Sequence, residues 1–289
     1  MRSTRGSNRG SFCRRVVAAP AALGAVVLLT TACVGASGGP SSHEAVPTPG
    51  DAENRAELAE VLPEALGGGA SASWRLLSFD SSGLMTVNRG RLSCDGDGSG
   101  TYLVEGGATR STPEQEFVPG REFDEQDLAP AQTQTAGSVA TDEGLHAEGG
   151  GDFWPVDEAE VPTEYAEDVA AARGANCSHI TATVATSSDL RLIDAIEVDG
   201  APVAHWKGTA YIDELQENAS GYARQDYAEL TAMNLGEAAV DVELWVDAGN
   251  RPVAYYQSLP PDRTGLQPRW FALSLSNWNN GTSVTVPGD

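Results

Sequence analysis

The amino-acid sequence predicts an α+β protein built mainly on antiparallel β-strands. Three observations point there. After residue 69, apolar and polar residues alternate in short runs; Gly, Pro, Asp or Asn bounds most of those runs; and helix-type spacing occurs in only three segments. Apolar residues make up 40% of the 289, with six Trp and seven Tyr, which is enough for a core despite a formal net charge of −23. Such an excess of acid, 41 acidic against 18 basic side chains, argues against nucleic acid as a partner, where affinity comes from Lys and Arg neutralising phosphates. It also argues against attraction to an anionic lipid surface.

The first fifty residues have their own logic. Arg2, Arg5, Arg9, Arg14 and Arg15 precede any acidic residue, and Val16 to Thr30 follows as an uncharged, mostly apolar run. That run is shorter than the roughly 20 residues that span a bilayer, so residues 1–32 read as a signal peptide. Directly after it comes Leu29-Thr30-Thr31-Ala32-Cys33, which resembles a bacterial lipobox. The resemblance implies cleavage before Cys33 and lipid attachment there, with a plain secretory peptide cut near Ala36 as the alternative. Arg14-Arg15 leaves Sec and twin-arginine export both open. Apart from Cys33, Val34 and Val46, residues 33–50 are Gly, Ser, Pro, Thr and Ala with one His and one Glu, a flexible tether with a reach of roughly 20 to 25 Å. Within it, Gly35-Ala36-Ser37-Gly38-Gly39 matches a nucleophile-elbow pattern but lacks the flanking strand and helix that the elbow needs.

Residues 51–289 contain no second linker and read as a single domain. Asp51 can cap a helix running through Leu58, Val61, Leu62 and Leu66 to the Gly67-Gly68-Gly69 stop. Strands are expected near 72–79, 84–93, 100–105, 180–186, 190–198, 202–212, 239–247, 252–259, 269–277 and 282–286. The clearest is Val240 to Val246, which turns at Asp247-Ala248-Gly249-Asn250 into a hairpin with Pro252 to Gln257. Thr163 can cap a second helix ending at Arg173-Gly174, and a third is expected from Tyr222 to Met233. The acidic, Gly-rich stretch 106–160 lacks periodicity and is expected to be largely irregular.

Val198 to Ile212 (VDGAPVAHWKGTAYI), Val242 to Val253 (VELWVDAGNRPV) and a late strand ending in Val284-Thr-Val-Pro287 resemble actinobacterial lipoproteins of the LppX/LprG type. That family is LolA-like. The resemblance implies a curved half-barrel sheet with helices across its concave face and an apolar cavity for acyl chains. In such a half-barrel the alternating rows Val242, Leu244 and Val246, then Val253 and Tyr255, then Phe271, Leu273 and Leu275, would line the concave side. Leu76, Leu190 and Leu192 would join them under the helix bearing Tyr227 and Leu230.

Side chains that carry chemistry are few. With Cys33 assigned to the anchor and Cys13 in the leader, Cys94 and Cys177 remain as an even pair in an oxidising compartment, read as a disulfide with two free thiols as the alternative. Asp95 to Gly100 (DGDGSG) begins like a calcium loop, but its twelfth position is Gly106 where a bidentate Glu is required, so a tight turn is expected. His43, His146, His179 and His205 form no metal-ligand pair at helical or hairpin spacing, His205 reading as a packing residue in its strand. No nucleophile, phosphate loop or cofactor fingerprint emerges, so neither an enzyme nor a cofactor is expected. The expected function is that of a lipid-anchored protein on the outer face of the cell membrane, binding or carrying a lipid or other hydrophobic ligand. The alternative is an envelope protein-interaction or sensory module whose groove is filled by its own side chains.

Overall fold

A computed structural model describes residues 54–80, 84–111, 117, 119, 138–141, 144–149, 152–156, 170–259, 268–280 and 284. The chain begins with helix α1 (Arg55–Leu66), and strands β1 (Ala70–Asp80), β2 (Leu84–Cys94), β3 (Gly100–Ser111), β4 (Ser138–Thr141), β5 (Gly144–Gly149) and β6 (Asp152–Val156) follow. A helical turn over 170–174 leads into α2 (Ser178–Thr186). Strands β7 (Arg191–Val198) and β8 (Ala201–Tyr211), helices α3 (Ile212–Asn218) and α4 (Gly221–Ala232), and strands β9 (Ala239–Val246), β10 (Pro252–Ser258) and β11 (Pro268–Ser276) complete the order.

The strands form one antiparallel sheet in the order β6-β5-β4-β3-β2-β1-β11-β10-β9-β8-β7. Every neighbour is sequential except β1 with β11, where Trp74 faces Leu275 and Leu76 faces Leu273. This pairing of the first strand with the last joins the two arms of the meander. The sheet is curved and unclosed, with helices on one face, which is the α+β half-barrel that the resemblance implies.

Local sequence explains most elements. Asn54, rather than Asp51, caps α1, its side chain accepting from the backbone N–H groups of Ala56 and Glu57; Asp51 lies outside the described residues. Leu58, Leu62 and Leu66 repeat every fourth residue and are fully buried, each worth about 1.5 to 3 kcal/mol of apolar transfer. Arg55 donates from Nη1 to the carbonyls of Val184 (3.2 Å) and Ala185 (2.9 Å), so α1 satisfies the C-terminal end of α2. The Asp95 to Gly100 segment is the expected turn, and Gly98, at φ +85°, is required there: a Cβ would lie 2.6 Å from Ser178 Cα. Asp97 accepts from Ser99 within that turn, which holds its carboxyl below the usual range.

Four expectations need correction. Residues 180–186 form the body of α2, not a strand. Their Thr, Ile and Val suit a strand, yet Ile180, Thr183 and Val184, at helical spacing, are buried, and packing overrides so weak a propensity. The strand expected to Ile212 ends at Tyr211, and α3 follows with Asp213 and Glu214 in its first turn. The stretch 106–160 is not wholly irregular: β3 runs on to Ser111, and β4, β5 and β6 extend the sheet edge. A strand added to an existing edge gains ladder hydrogen bonds without any apolar alternation of its own. Val253, expected on the concave side, packs instead with Val203, Trp245 and Ala254 on the opposite face. The register between β9 and β10 slips between Pro252 and Ala254, and a bulge of one residue reverses the facing at that point. The start of the helix expected from Thr163 and the strand expected at 282–286 lie outside the described residues, apart from Val284, which is in no strand.

Both faces of the sheet carry apolar clusters. The larger lies beneath the helices and includes Trp74, Leu76, Tyr102, Trp206, Leu244, Tyr255 and Leu273. On the other face Leu77, Phe79, Met85 and Trp270 form one group and Val203 and Trp245 another, and Phe117 packs against both. Cys94 and Cys177 form a disulfide with Cα atoms 6.3 Å apart, tying the end of β2 to the start of α2. Next to it, the Tyr102 hydroxyl accepts from the Cys177 N–H at 3.1 Å.

Candidate functional site

Alternation along β9, β10 and β11 delivers one continuous surface under the helices. Leu244 sits between Trp206 on β8 and Tyr255 on β10; Leu273 sits between Tyr255 and Leu76; Phe271 pairs with Gln257. Val242, Val246 and Leu275 continue these rows, Leu190 and Leu192 pack at the β7 side, and α4 adds Tyr227 and Leu230. The structure therefore brings together every residue expected to line the groove except Val253. It also covers them. Val242, Leu244, Tyr255 and Leu273 are at 0% exposure, while Phe271 at 8% and Leu230 at 6% are the least covered of the set that is fully buried. In this conformation the apolar surface of the sheet is in contact with the helical layer.

Inside that seam lies a polar network that sequence reasoning missed. His179, on α2, has its Nδ1 2.8 Å from the Tyr227 hydroxyl and its Nε2 3.1 Å from the Arg173 carbonyl. Tyr227 Oη and Tyr255 Oη lie 2.9 and 2.7 Å from Gln257 Oε1, and Thr183 Oγ1 lies 2.8 Å from Tyr255 Oη. All five side chains are buried, and Gln257 Nε2 has no partner. Phe271 closes the side, its ring 5.1 Å from the His179 ring and 5.9 Å from that of Tyr255. A signal for Gln257 existed: it follows Tyr255 by two on a strand whose inward positions are otherwise apolar. His179 lies just before the strand expected at 180–186, so its helical spacing to Thr183 carries no signal in the sequence.

Burial governs the electrostatics. It pushes the His179 imidazole down to about 4, against the raising effect of the Arg173 carbonyl, so the ring is neutral at pH 7. The phenols of Tyr227 and Tyr255 are pushed up, first by burial, and stay protonated. At the rim, Asp226 is pushed up to about 7, mainly by burial and further by Glu229, while Arg173 opposes both. Its side chain keeps 29% of its surface in solvent, which moderates that effect, and it stands 3.7 Å from Arg173 Nη1 and 3.9 Å from His179 Nε2. Arg173 also pairs with Glu229 at 3.1 Å. The seam thus combines apolar walls with a few buried polar groups.

Other candidates fall elsewhere. Cys33 and His43 lie outside the described residues. His205 is on the opposite face, stacked on Trp245 at 4.6 Å and held between Asp194 (3.0 Å) and Glu243 (2.9 Å). That pairing, together with Lys207, keeps the Glu243 carboxyl below its ordinary range. Among the described residues, no group of three or more His, Cys, Asp or Glu is arranged to hold a metal.

No protein-family model and no curated protein matches this chain. Solved structures do. LprF from Mycobacterium bovis is 15% identical, with 81% of this chain and 96% of that chain covered at a TM-score of 0.46. LppX is among the similar structures. This lipoprotein, from Mycobacterium tuberculosis, is 10% identical over 80% of this chain and 98% of its own, at a TM-score of 0.41. A LolA superfamily protein from Nitrosomonas europaea is 10% identical over 82% of this chain and 96% of that chain, at a TM-score of 0.28.

Proposed function

We propose that this chain is an exported lipoprotein, anchored through Cys33 on the outer face of the cell membrane, which binds or carries a lipid or other hydrophobic ligand between its helices and the sheet. One observation carries the reading: a buried amide, Gln257, with one end unpartnered in the middle of a broad apolar surface. A buried polar atom without a partner costs about 1 to 3 kcal/mol, so the seam is less well satisfied closed than an apolar core would be. Parting the helical layer from the sheet would expose apolar surface for alkyl chains, where each methylene removed from water is worth about 0.8 kcal/mol. Residues 1–32 serve as the signal peptide, 33–50 as the tether and 51–289 as the single binding domain.

A second reading has its own support. Leu244, Tyr255 and Leu273 are completely covered, which favours an envelope interaction or sensory module with a filled groove. Native mass spectrometry of the purified chain, with solvent extraction of bound lipid, separates the two. Recovery of an apolar molecule supports the carrier. A ligand-free protein that also fails to take up hydrophobic probes overturns it.

A further inference from the structure

The buried network can be solved for its protons. A carbonyl has none to give, so His179 Nε2, 3.1 Å from the Arg173 oxygen, must donate. A neutral imidazole has a single N–H, which makes Nδ1 an acceptor that takes the Tyr227 hydroxyl proton at 2.8 Å. Tyr227 then has no proton left for Gln257, whose nearest amide atom is 2.9 Å away. Two acceptors would face each other if that atom were oxygen. Turning the carboxamide by 180° removes the conflict, because its amino group carries one hydrogen for Tyr227 and one for Tyr255, 2.7 Å away. Tyr255 can pass its own proton to Thr183 at 2.8 Å. Keeping the oxygen toward the tyrosines would require a second proton on His179, and burial disfavours that cation.

The unpartnered end of Gln257 is then its carbonyl oxygen, a buried acceptor that lacks a donor. Phe271 pairs with Gln257 across the strands and Leu230 lies one turn along α4 from Tyr227; being the least covered of the buried residues around the amide, they mark the way in. A charged donor is a poor fit, since burying an unpaired charge is costly. An anion is a poor fit as well, because Arg173, the cation of this rim, is already paired with Glu229 and Asp226. We propose that Gln257 is the polar anchor of the site and selects an uncharged amphiphile bearing a hydrogen-bond donor, a long-chain alcohol being the simplest. This rests on the hydrophobic-ligand reading above.

The test displaces a fluorescent alkyl reporter from the purified full chain with 1-hexadecanol and with its methyl ether, which has the same chain but no donor. The wild-type protein should prefer the alcohol by about tenfold, equivalent to about 1.4 kcal/mol. In Gln257→Leu the preference should fall to near one while the affinity for the ether is unchanged. Circular dichroism checks that the variant folds, and Gln257→Met supplies a second variant of similar shape. Equal binding of alcohol and ether to the wild type overturns the proposal and leaves the hydrophobic-ligand reading intact. A preference that survives both substitutions also overturns it. Failure of both compounds to displace the reporter, or of the reporter to bind, overturns the reading and the proposal together.

Discussion

Leu244→Trp asks whether the apolar face is a closed core or an open space. Leu244 is at 0% exposure, and in the sheet it is flanked by Trp206 and Tyr255, themselves at 1% and 0%. Neither neighbour can swing into solvent, and the helical layer covers the face, so an indole must push backbone or force neighbours off their rotamers. Overpacking of this kind costs about 1 to 3 kcal/mol. In a domain of this size that lowers the melting temperature by about 3 to 10 °C. Thermal unfolding followed by circular dichroism, with denaturant titration in parallel, measures it. Leu244→Ala should also destabilise, by about 2 to 5 kcal/mol, through loss of transfer energy and the cavity left behind. A Leu244→Trp protein that melts with the wild type yet loses binding of hydrophobic probes would refute the close-packing argument, because only vacant space accepts that volume without cost.

Acid should weaken the fold through His179. Its folded pKa is depressed from 6.5 to about 4, so the stability it contributes is complete above pH 6.5 and is lost as the pH falls toward 4, by about 3 kcal/mol in total. Denaturant midpoints of wild type and His179→Asn between pH 4 and 8 should converge on acidification; a constant difference would contradict the assignment. Replacing Cys94 and Cys177 together by Ala should cost about 4 kcal/mol, since the bridge closes a loop with a separation of 83 residues, and an unchanged unfolding midpoint would argue against it. Cys33→Ala should release the protein from membranes or block its maturation, which fractionation reads directly; a variant that still sediments with membranes would place the anchor elsewhere.

Strand existence was legible where one face is buried and the other polar. Val240 to Val246 is the model case, because the period of two is imposed by the pleat and needs no knowledge of neighbours. The cysteine pair was legible from its even number once Cys13 and Cys33 are set aside. Segment 178–186 was not: its β-branched residues fit either state, and only contact with α1 and the sheet selects the helix. Strands β4 to β6 were hidden for the opposite reason, as they form by adding to an edge already present. Alternation correctly placed seven inward residues of β9, β10 and β11, yet it failed at Val253, where one extra residue in β10 turned a side chain to the other face. Nothing in the local pattern marks that bulge.

The sequence by itself determined the class of the fold and the rows of apolar side chains, because each depends on residues close together along the chain. Only the tertiary structure decided that β1 closes against β11, that the apolar face is covered, and that His179, Thr183, Tyr227, Tyr255 and Gln257 meet. Those five residues come from two helices and one strand and span 179 to 257. Their hydrogen bonds exist only once the helices pack on the sheet, so no local pattern can announce them.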